Sequence, residues 1–380
     1  MRVGIAGLGT AGLAFIPPIA AHPALALVAV SEPDAAARAA VAERCGAVGY
    51  ADLAAMLAHP GLDAVIIATP TPLHAEHAIA CLAAGKHVVL EKPMATSVAD
   101  GVRICAAAEA AGRVLVVGHS HSFDQPVRAM RDLIAGGTLG RVRMIHSWCF
   151  SDWIYRPRRP DELRVETGGG VTLRQGSHQF DIIRLLAGGD LARITAHTFD
   201  WDPDRAAIGA HSATLEFESG AVATAVYNGY GGLASSELVA GVTEWGFLEP
   251  ETTPSLRVPP ADVAQAKRRR ANASDKSHAP YQPHFGLTVV SCERGDIRQS
   301  PEGLLVYSAA GRQAIRLPPS RTPHTLVMEE FHDAVAGMAR PLHDGRWGLA
   351  NLETCLAAIT SAERHEAVTL HHQIRLTEAG

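Results

Sequence analysis

Aromatic side chains are scarce, at 5% of 380 residues, and charged ones are few, at 19%. The two signs nearly cancel: 34 Lys and Arg against 39 Asp and Glu leave a formal charge of −5. Such a balance supplies no broad positive field, so nucleic acid and anionic membrane surfaces are poor partners. The one basic run, Lys267-Arg268-Arg269-Arg270, sits in a polar stretch and reads as a solvated loop. Cys45, Cys81, Cys105, Cys149, Cys292 and Cys355 contain no CxxC pair, which sets aside the common zinc and redox spacings and suits reduced core thiols. No apolar run approaches membrane-spanning length, and internal repeats and low-complexity tracts are absent. Met1 runs directly into "RVGIAGLG", so the expectation is a cytoplasmic protein without a signal peptide. Hydrophobic residues, at 47%, are ample for two domains, each with its own core.

"VGIAGLGTAG" reads as a short strand, a turn Gly7-Leu8-Gly9-Thr10-Ala11-Gly12, and the start of a helix. GxGxxG between strand and helix fits a dinucleotide. Gly7 permits the tight turn, Gly9 lets a pyrophosphate approach the backbone, and Gly12 lets helix and strand pack closely. The helix N-terminus adds free N–H groups and a positive dipole end. Glu32, ending the next strand, is placed to accept the ribose hydroxyls of NAD and to repel the 2′-phosphate of NADP. Short β-branched strands then alternate with helices through "DAVIIAT", "HVVL" and "RVLVVG", which predicts parallel βαβ units in a doubly wound sheet. Ligands lie at carboxyl ends of such strands, making Thr69, Pro70, Thr71 and His74 in "ATPTPLH", with Glu91 and Lys92 in "LEKPMA", candidate cofactor contacts.

"GGGVTLRQGSHQFD", Gly168 to Asp181, predicts a glycine turn opening a helix. On one continuous helix Arg174, His178 and Asp181 would share a face, with Asp181 serving to pin the helix. Just before it, Arg156, Arg158 and Arg159 stand among prolines beside Trp153 and Tyr155 in a loop able to cover a cleft and stack on a flat ring. His119-x-His121 follows a strand and marks His119 as a pocket residue, and His284 could reach the cleft or simply pack. Zinc needs a third and usually a fourth ligand, and no matching set exists, so no metal is expected. Residues 250 to 283 form a Gly/Pro-rich excursion of the length seen in lids and interface arms.

GLGTAG, ATPTPLH, AGKHVVLEKPMA and the later GGG…H…D together resemble the glucose-fructose oxidoreductase / inositol dehydrogenase / MocA family over nearly the whole chain. The resemblance implies α/β architecture: an N-terminal Rossmann domain, here residues 1–122, and a C-terminal α/β domain, residues 123–380, with a large, open, mostly antiparallel sheet. That sheet would bind substrate beneath and build a homodimer or homotetramer through its exposed face. It further implies Lys92 beside nicotinamide and substrate hydroxyl, with His178 as the second proton-transfer residue. One position departs from the family pattern: Arg174 stands where an aspartate usually does. A guanidinium accepts no hydrogen bond but grips a carboxylate with two prongs, so the substrate should be anionic, with Arg174, Tyr155, Arg156, Arg158 and His119 around it. "RQGSHQFDIIRLL", "YRPRRP" and "YQPHFGLTVVSCERGDIRQSPEGL" resemble the 4,5-dihydroxyphthalate (phthalate cis-dihydrodiol) dehydrogenase-like branch, which implies NAD-dependent oxidation of a carboxylated cis-dihydrodiol such as 4,5-dihydro-4,5-dihydroxyphthalate. The alternatives are a sugar or cyclitol dehydrogenase, including one acting at C3 of a glycoside, and a non-catalytic nucleotide-binding sensor.

Overall fold

In the computed structural model, the described residues are 1–118, 120–249, 279–319 and 321–376. His119, the basic run 267–270 and most of the 250–283 excursion lie outside them. The first sheet holds β1 (Arg2–Ala6), β2 (Ala26–Ser31), β3 (Val48–Tyr50), β4 (Ala64–Ile67), β5 (His87–Glu91) and β6 (Leu115–Gly118). Its order is β3-β2-β1-β4-β5-β6, every pairing parallel. Strands buried on both faces need apolar residues throughout, and β4, Ala-Val-Ile-Ile, is buried at all four positions. Val3, Ile5 and Ile66 fill one side, Ala6, Val65 and Ile67 the other. Helix punctuation was legible: Asp34 caps Ala35–Cys45, which ends at left-handed Gly46, and Ser97 caps Val98–Ala111, which ends at Gly112. The order reverses between β1 and β4, opening a crevice at their carboxyl ends.

The second sheet has nine strands: β7 (Val142–Phe150), β8 (Leu191–Phe199), β9 (Ala210–Phe217), β10 (Val222–Asn228), β11 (Leu287–Cys292), β12 (Gly295–Ser300), β13 (Gly303–Ser308), β14 (Gly311–Arg316) and β15 (Val368–Thr369). They run in the order β14-β13-β12-β11-β7-β10-β9-β8-β15, antiparallel except for the β7–β10 pair. Burial alternates along β9 and β10, the period of a sheet covered on one face. Ile145, Leu215, Ala223, Ala225 and Val290 point into the core; Met144, Trp148 and Val222 are exposed large apolar residues.

The chain then returns to the first sheet. Val327, Met328 and Phe331 of helix Pro323–Val335 join the cluster of Val3 and Ile5, and Val117 N donates to His343 O at 2.8 Å. Helix Gly345–Arg364 touches both cores, through Leu349 and Leu352 on one side and Trp347, Cys355 and Ala358 on the other. Among the described residues no helix is long and apolar enough to cross a membrane.

Candidate active site

At the glycine turn, geometry assigns each residue its reason. Gly7 has φ +90°, and a Cβ there would lie 2.6 Å from the Ala68 carbonyl oxygen. A Cβ on Gly12 would lie 2.0 Å from the Gly7 carbonyl oxygen. Gly9 is different: a Cβ there meets nothing within 4 Å, so its backbone faces open space on the side a pyrophosphate would approach. Glu32 is fixed beside the turn, Oε2 accepting from Leu8 N at 2.9 Å and Oε1 from Asp34 N at 3.3 Å. An open backbone beside an anchored carboxylate fits a dinucleotide with a free ribose diol. The expected helix after the turn is two short ones, Thr10–Ala14 and Ile16–Ala21, because Pro17 and Pro18 cannot continue the first.

The loops after β4 and β5 are clamped together. His74 is buried, with Nδ1 2.8 Å from Pro93 O and Nε2 2.9 Å from Thr69 O. Burial pushes its pKa down to about 4, against the pull of those two carbonyls. His74 was expected among the cofactor contacts; it instead ties loop 69–71 to loop 92–93 from beneath. Thr71 is also buried, and a Cβ on Gly168 would lie 2.6 Å from its Cγ2, so the first glycine of the triple is what lets the two domains' loops meet. Thr69 Oγ1 lies 3.0 Å from His77 Nδ1, and Pro70 is exposed. The Lys92–Pro93 peptide is cis.

Lys92 Nζ donates to the backbone carbonyl of Arg174 at 2.9 Å. That carbonyl is available because the expected continuous helix breaks. Helix Val171–Arg174 ends, and a second, Gly176–Ala187, begins after Gln175. In an unbroken helix Arg174 O would accept from His178 N; here His178 N bonds Gln175 O at 3.0 Å, and Arg174 O receives Lys92 Nζ and Ser177 Oγ. Burial and then the Arg174 guanidinium lower the Lys92 pKa to about 8, with Glu91 opposing and Arg158 adding to the fall. Glu91 is held by Lys92 N at 3.2 Å, and burial raises its carboxyl.

The break also separates what one helix face would have joined. The Arg174 side chain turns to Glu162, Nη2 to Oε1 at 3.6 Å. Asp181 accepts from Trp347 Nε1 and anchors its helix to the last one. Gln179 fastens the same helix to the parallel pair of strands, donating to Ser147 O, Ser147 Oγ and Val226 O. In the arginine loop, Trp153 does not offer a stacking surface to the cleft: it is buried, with Arg158 Cζ 4.1 Å from its ring. Arg156, expected to face substrate, pairs with Asp152 at 2.7 Å, and that carboxylate raises its already high pKa. The Tyr155 ring packs under Arg205, 5.3 Å to centroid, and Arg159 holds Asp161 at 3.0 Å. His284 is buried, with Nε2 2.7 Å from Val242 O.

Glu244 gave no sign in the sequence, and His121 was noted there only as the neighbour of His119 in His119-x-His121. His121 is buried between carboxylates, Nδ1 2.9 Å from Asp124 Oδ2 and Nε2 3.0 Å from Glu244 Oε1. Although burial opposes it, the two carboxylates raise the His121 pKa to about 9. Its ring stands edge-on to His178, centroids 4.7 Å apart, with Phe285 4.8 Å from His121 and 5.2 Å from His178. Glu244 lies 123 positions from His121, a separation no local pattern spans. Among the described residues no group of three or more His, Cys, Asp or Glu could hold a metal ion.

Residues 1–119 match the model of an oxidoreductase family with an NAD-binding Rossmann fold, and residues 127–231 match the GFO/IDH/MocA C-terminal domain. The chain belongs to the GFO/IDH/MocA oxidoreductase family. It is therefore an oxidoreductase whose first domain binds NAD. It is 36% identical to the 1-carboxy-3-chloro-3,4-dihydroxycyclohexa-1,5-diene dehydrogenase of Comamonas testosteroni, over 94% of each chain. An inositol 2-dehydrogenase of Saccharopolyspora erythraea is 35% identical over 52% of this chain and 57% of its own. The crystal structure of a dehydrogenase of Bordetella bronchiseptica RB50 superposes with TM-score 0.91 at 36% identity, covering 97% of this chain and 100% of the other.

Proposed function

We propose that this oxidoreductase oxidises one hydroxyl of a cyclic, carboxylated cis-dihydrodiol, of which 4,5-dihydro-4,5-dihydroxyphthalate is an example. The observation that carries the reading is Lys92: partly buried, its pKa lowered to about 8 by burial and the Arg174 guanidinium, with one N–H spent on the Arg174 carbonyl. A neutral amine so placed keeps a lone pair for a hydroxyl proton, the requirement for a base working near neutral pH. NAD, when bound, accepts the hydride. Gly7 to Gly12 would hold its pyrophosphate and Glu32 its adenosine ribose, with Glu91 and the Thr69–Thr71 loop at the reacting end. Lys92 takes the O–H proton as the carbinol C–H leaves as hydride, giving a ketone; enolisation of that ring to a catechol draws the reaction forward. His178 is the second proton-transfer residue. Arg174 and Arg158 supply positive charge for a ring carboxylate, a reading supported by the carboxylated diene named for the Comamonas relative.

The division at 122/123 into cofactor and substrate domains belongs to the same proposal, supported by the two separate sheets. So do a dimer or tetramer through the outer sheet face, where Met144, Trp148 and Val222 are exposed, and a cytoplasmic location, consistent with six free cysteines. A second reading, a cyclitol or sugar dehydrogenase, is favoured by one contact: Arg174 already faces Glu162, which would neutralise it. Initial rates of NADH formation on carboxylated cis-dihydrodiols, uronates, inositols and glycosides separate them. The acidic diol should give the highest kcat/KM; faster oxidation of inositols or glycosides, with no gain from a carboxylate, overturns the proposal.

A further inference from the structure

The helix break sets one more side chain beside Lys92. Gln175 is the residue on which helix Val171–Arg174 stops, and its peptide bond to Arg174 carries the carbonyl that Lys92 Nζ meets at 2.9 Å. In a trans peptide the carbonyl oxygen and the following Cα lie about 3 Å apart, so the Gln175 Cα stands within about 6 Å of Nζ. Covalent geometry alone therefore brings this side chain within reach of a ring whose hydroxyl sits on Lys92. Its backbone is held on both sides, N donating to Val171 O at 2.7 Å and O accepting from His178 N at 3.0 Å. The residue is 8% exposed, and Nε2 donates to Tyr227 Oη at 3.2 Å. Tyr227 is itself buried and shares a 2.8 Å hydrogen bond with Ser151 Oγ.

The other end of the amide is not spent. Gln175 Oε1 accepts no hydrogen bond among the described residues, and unlike Gln282 Oε1 and Thr288 Oγ1 it is not sealed from solvent. An amide oxygen offers lone pairs and no proton, so it receives an O–H and repels a carboxylate. The group it fits is a neutral hydroxyl, and on a vicinal diol the carbon next to the reacting one supplies it. Left without an acceptor, that hydroxyl would lose a hydrogen bond it had in water. Being neutral, the amide puts no net charge on Lys92, so its removal leaves the base as it was.

We propose that the Gln175 amide oxygen receives the hydroxyl adjacent to the one being oxidised and so decides which hydroxyl of the ring reaches Lys92, with Tyr227 as the positioning residue that aims it. This rests on the reading of Lys92 as the site of alcohol oxidation, but not on which cyclic polyol is the substrate, since acidic dihydrodiols and cyclitols both present adjacent hydroxyls.

The test compares wild type, Gln175→Met and Tyr227→Phe on the ring polyol of the substrate panel that wild type oxidises fastest, and on the same ring with the adjacent hydroxyl replaced by hydrogen. Methionine keeps most of the glutamine volume and removes the amide, while Tyr227 retains Ser151 as a partner, so Gln175→Met should fold. It should lose about 3- to 10-fold in kcat/KM on the polyol, the range of one hydrogen bond between neutral groups, and less than about twofold on the analogue. Tyr227→Phe should show a smaller loss, again on the polyol alone. The midpoint of the kcat/KM–pH profile should stay near 8 in both variants, because neither substitution removes a charge beside Lys92. Equal losses on the two substrates, no loss on the polyol, or a displaced midpoint overturns the proposal. Failure of the Lys92 reading shows separately, as near-normal turnover in Lys92→Met. Should the dihydrodiol reading fail, inositols outrun the acidic diol in wild type, and the Gln175 comparison still runs on them.

Discussion

Arg174→Gln separates the two tasks its guanidinium could perform. Lysine ordinarily titrates near ~10.4, where about 0.1% is neutral at pH 7.5. At about 8, roughly a quarter of Lys92 is neutral at that pH, an increase in available base of about 200-fold. Burial is the larger cause and survives the substitution; the Arg174 charge comes second and does not. Removing a cation of this kind raises a neighbouring lysine by about one pKa unit. The kcat/KM–pH profile should therefore move its midpoint from near 8 toward 9. The part of the deficit due to Lys92 should be about 8-fold at pH 7.5 and should close by pH 10, where Lys92 is neutral in both proteins, leaving only the pH-independent loss of the carboxylate contact. Glu162 retains Arg159 N as a partner, so the loop should stay folded. A profile measured by NADH formation from pH 6 to 10.5, with NADH binding followed separately, gives both quantities. An unmoved midpoint, or a deficit equal at every pH, would refute the coupling of Arg174 to Lys92.

Other substitutions test the remaining parts. Gly9→Ala should fold normally, since its Cβ meets nothing, yet weaken NADH at least 10-fold by occupying the pyrophosphate side; Gly12→Ala should also lose stability, because its Cβ collides with the Gly7 carbonyl. Calorimetry and fluorescence titration distinguish the two. Glu32→Ala should raise the KM for NAD and narrow the preference over NADP, read as the ratio of kcat/KM values. His121, raised to about 9, contributes stability that is fully present below its unfolded value near 6.5 and is lost as pH rises through 9. Denaturant midpoints should fall between pH 7 and 10 in wild type and change less in Glu244→Gln.

What could be read from the sequence was local. Capping residues Asp34, Asp52 and Ser97, the β-branched strands and the glycine turn each carry their signal within a few positions, and the first sheet follows from them. β3 was missed because three residues between two helices show no period. β13 and β14 escaped notice as a plain hairpin beyond the stronger "GLTVVSCERG" signal. Lys92 was legible because the family motif names it. The break at Gln175 was not, since a helical-face argument does not weigh the close setting of Gly176, where a Cβ would crowd Phe180 and His211. Arg156 and Trp153 looked like ligand contacts because sequence shows side-chain chemistry but not whether Asp152 or the core has already claimed it. The partners of His74 and Glu244 likewise come from segments distant in sequence.

The central claim is that Lys92 receives the substrate proton in a site otherwise assembled for NAD. Lys92→Met keeps most of the side-chain volume and removes the amine. Its NADH affinity should stay within about twofold of wild type, while kcat on the best substrate of the panel falls by 10²-fold or more. Unaltered NADH binding with near-normal kcat would contradict the account.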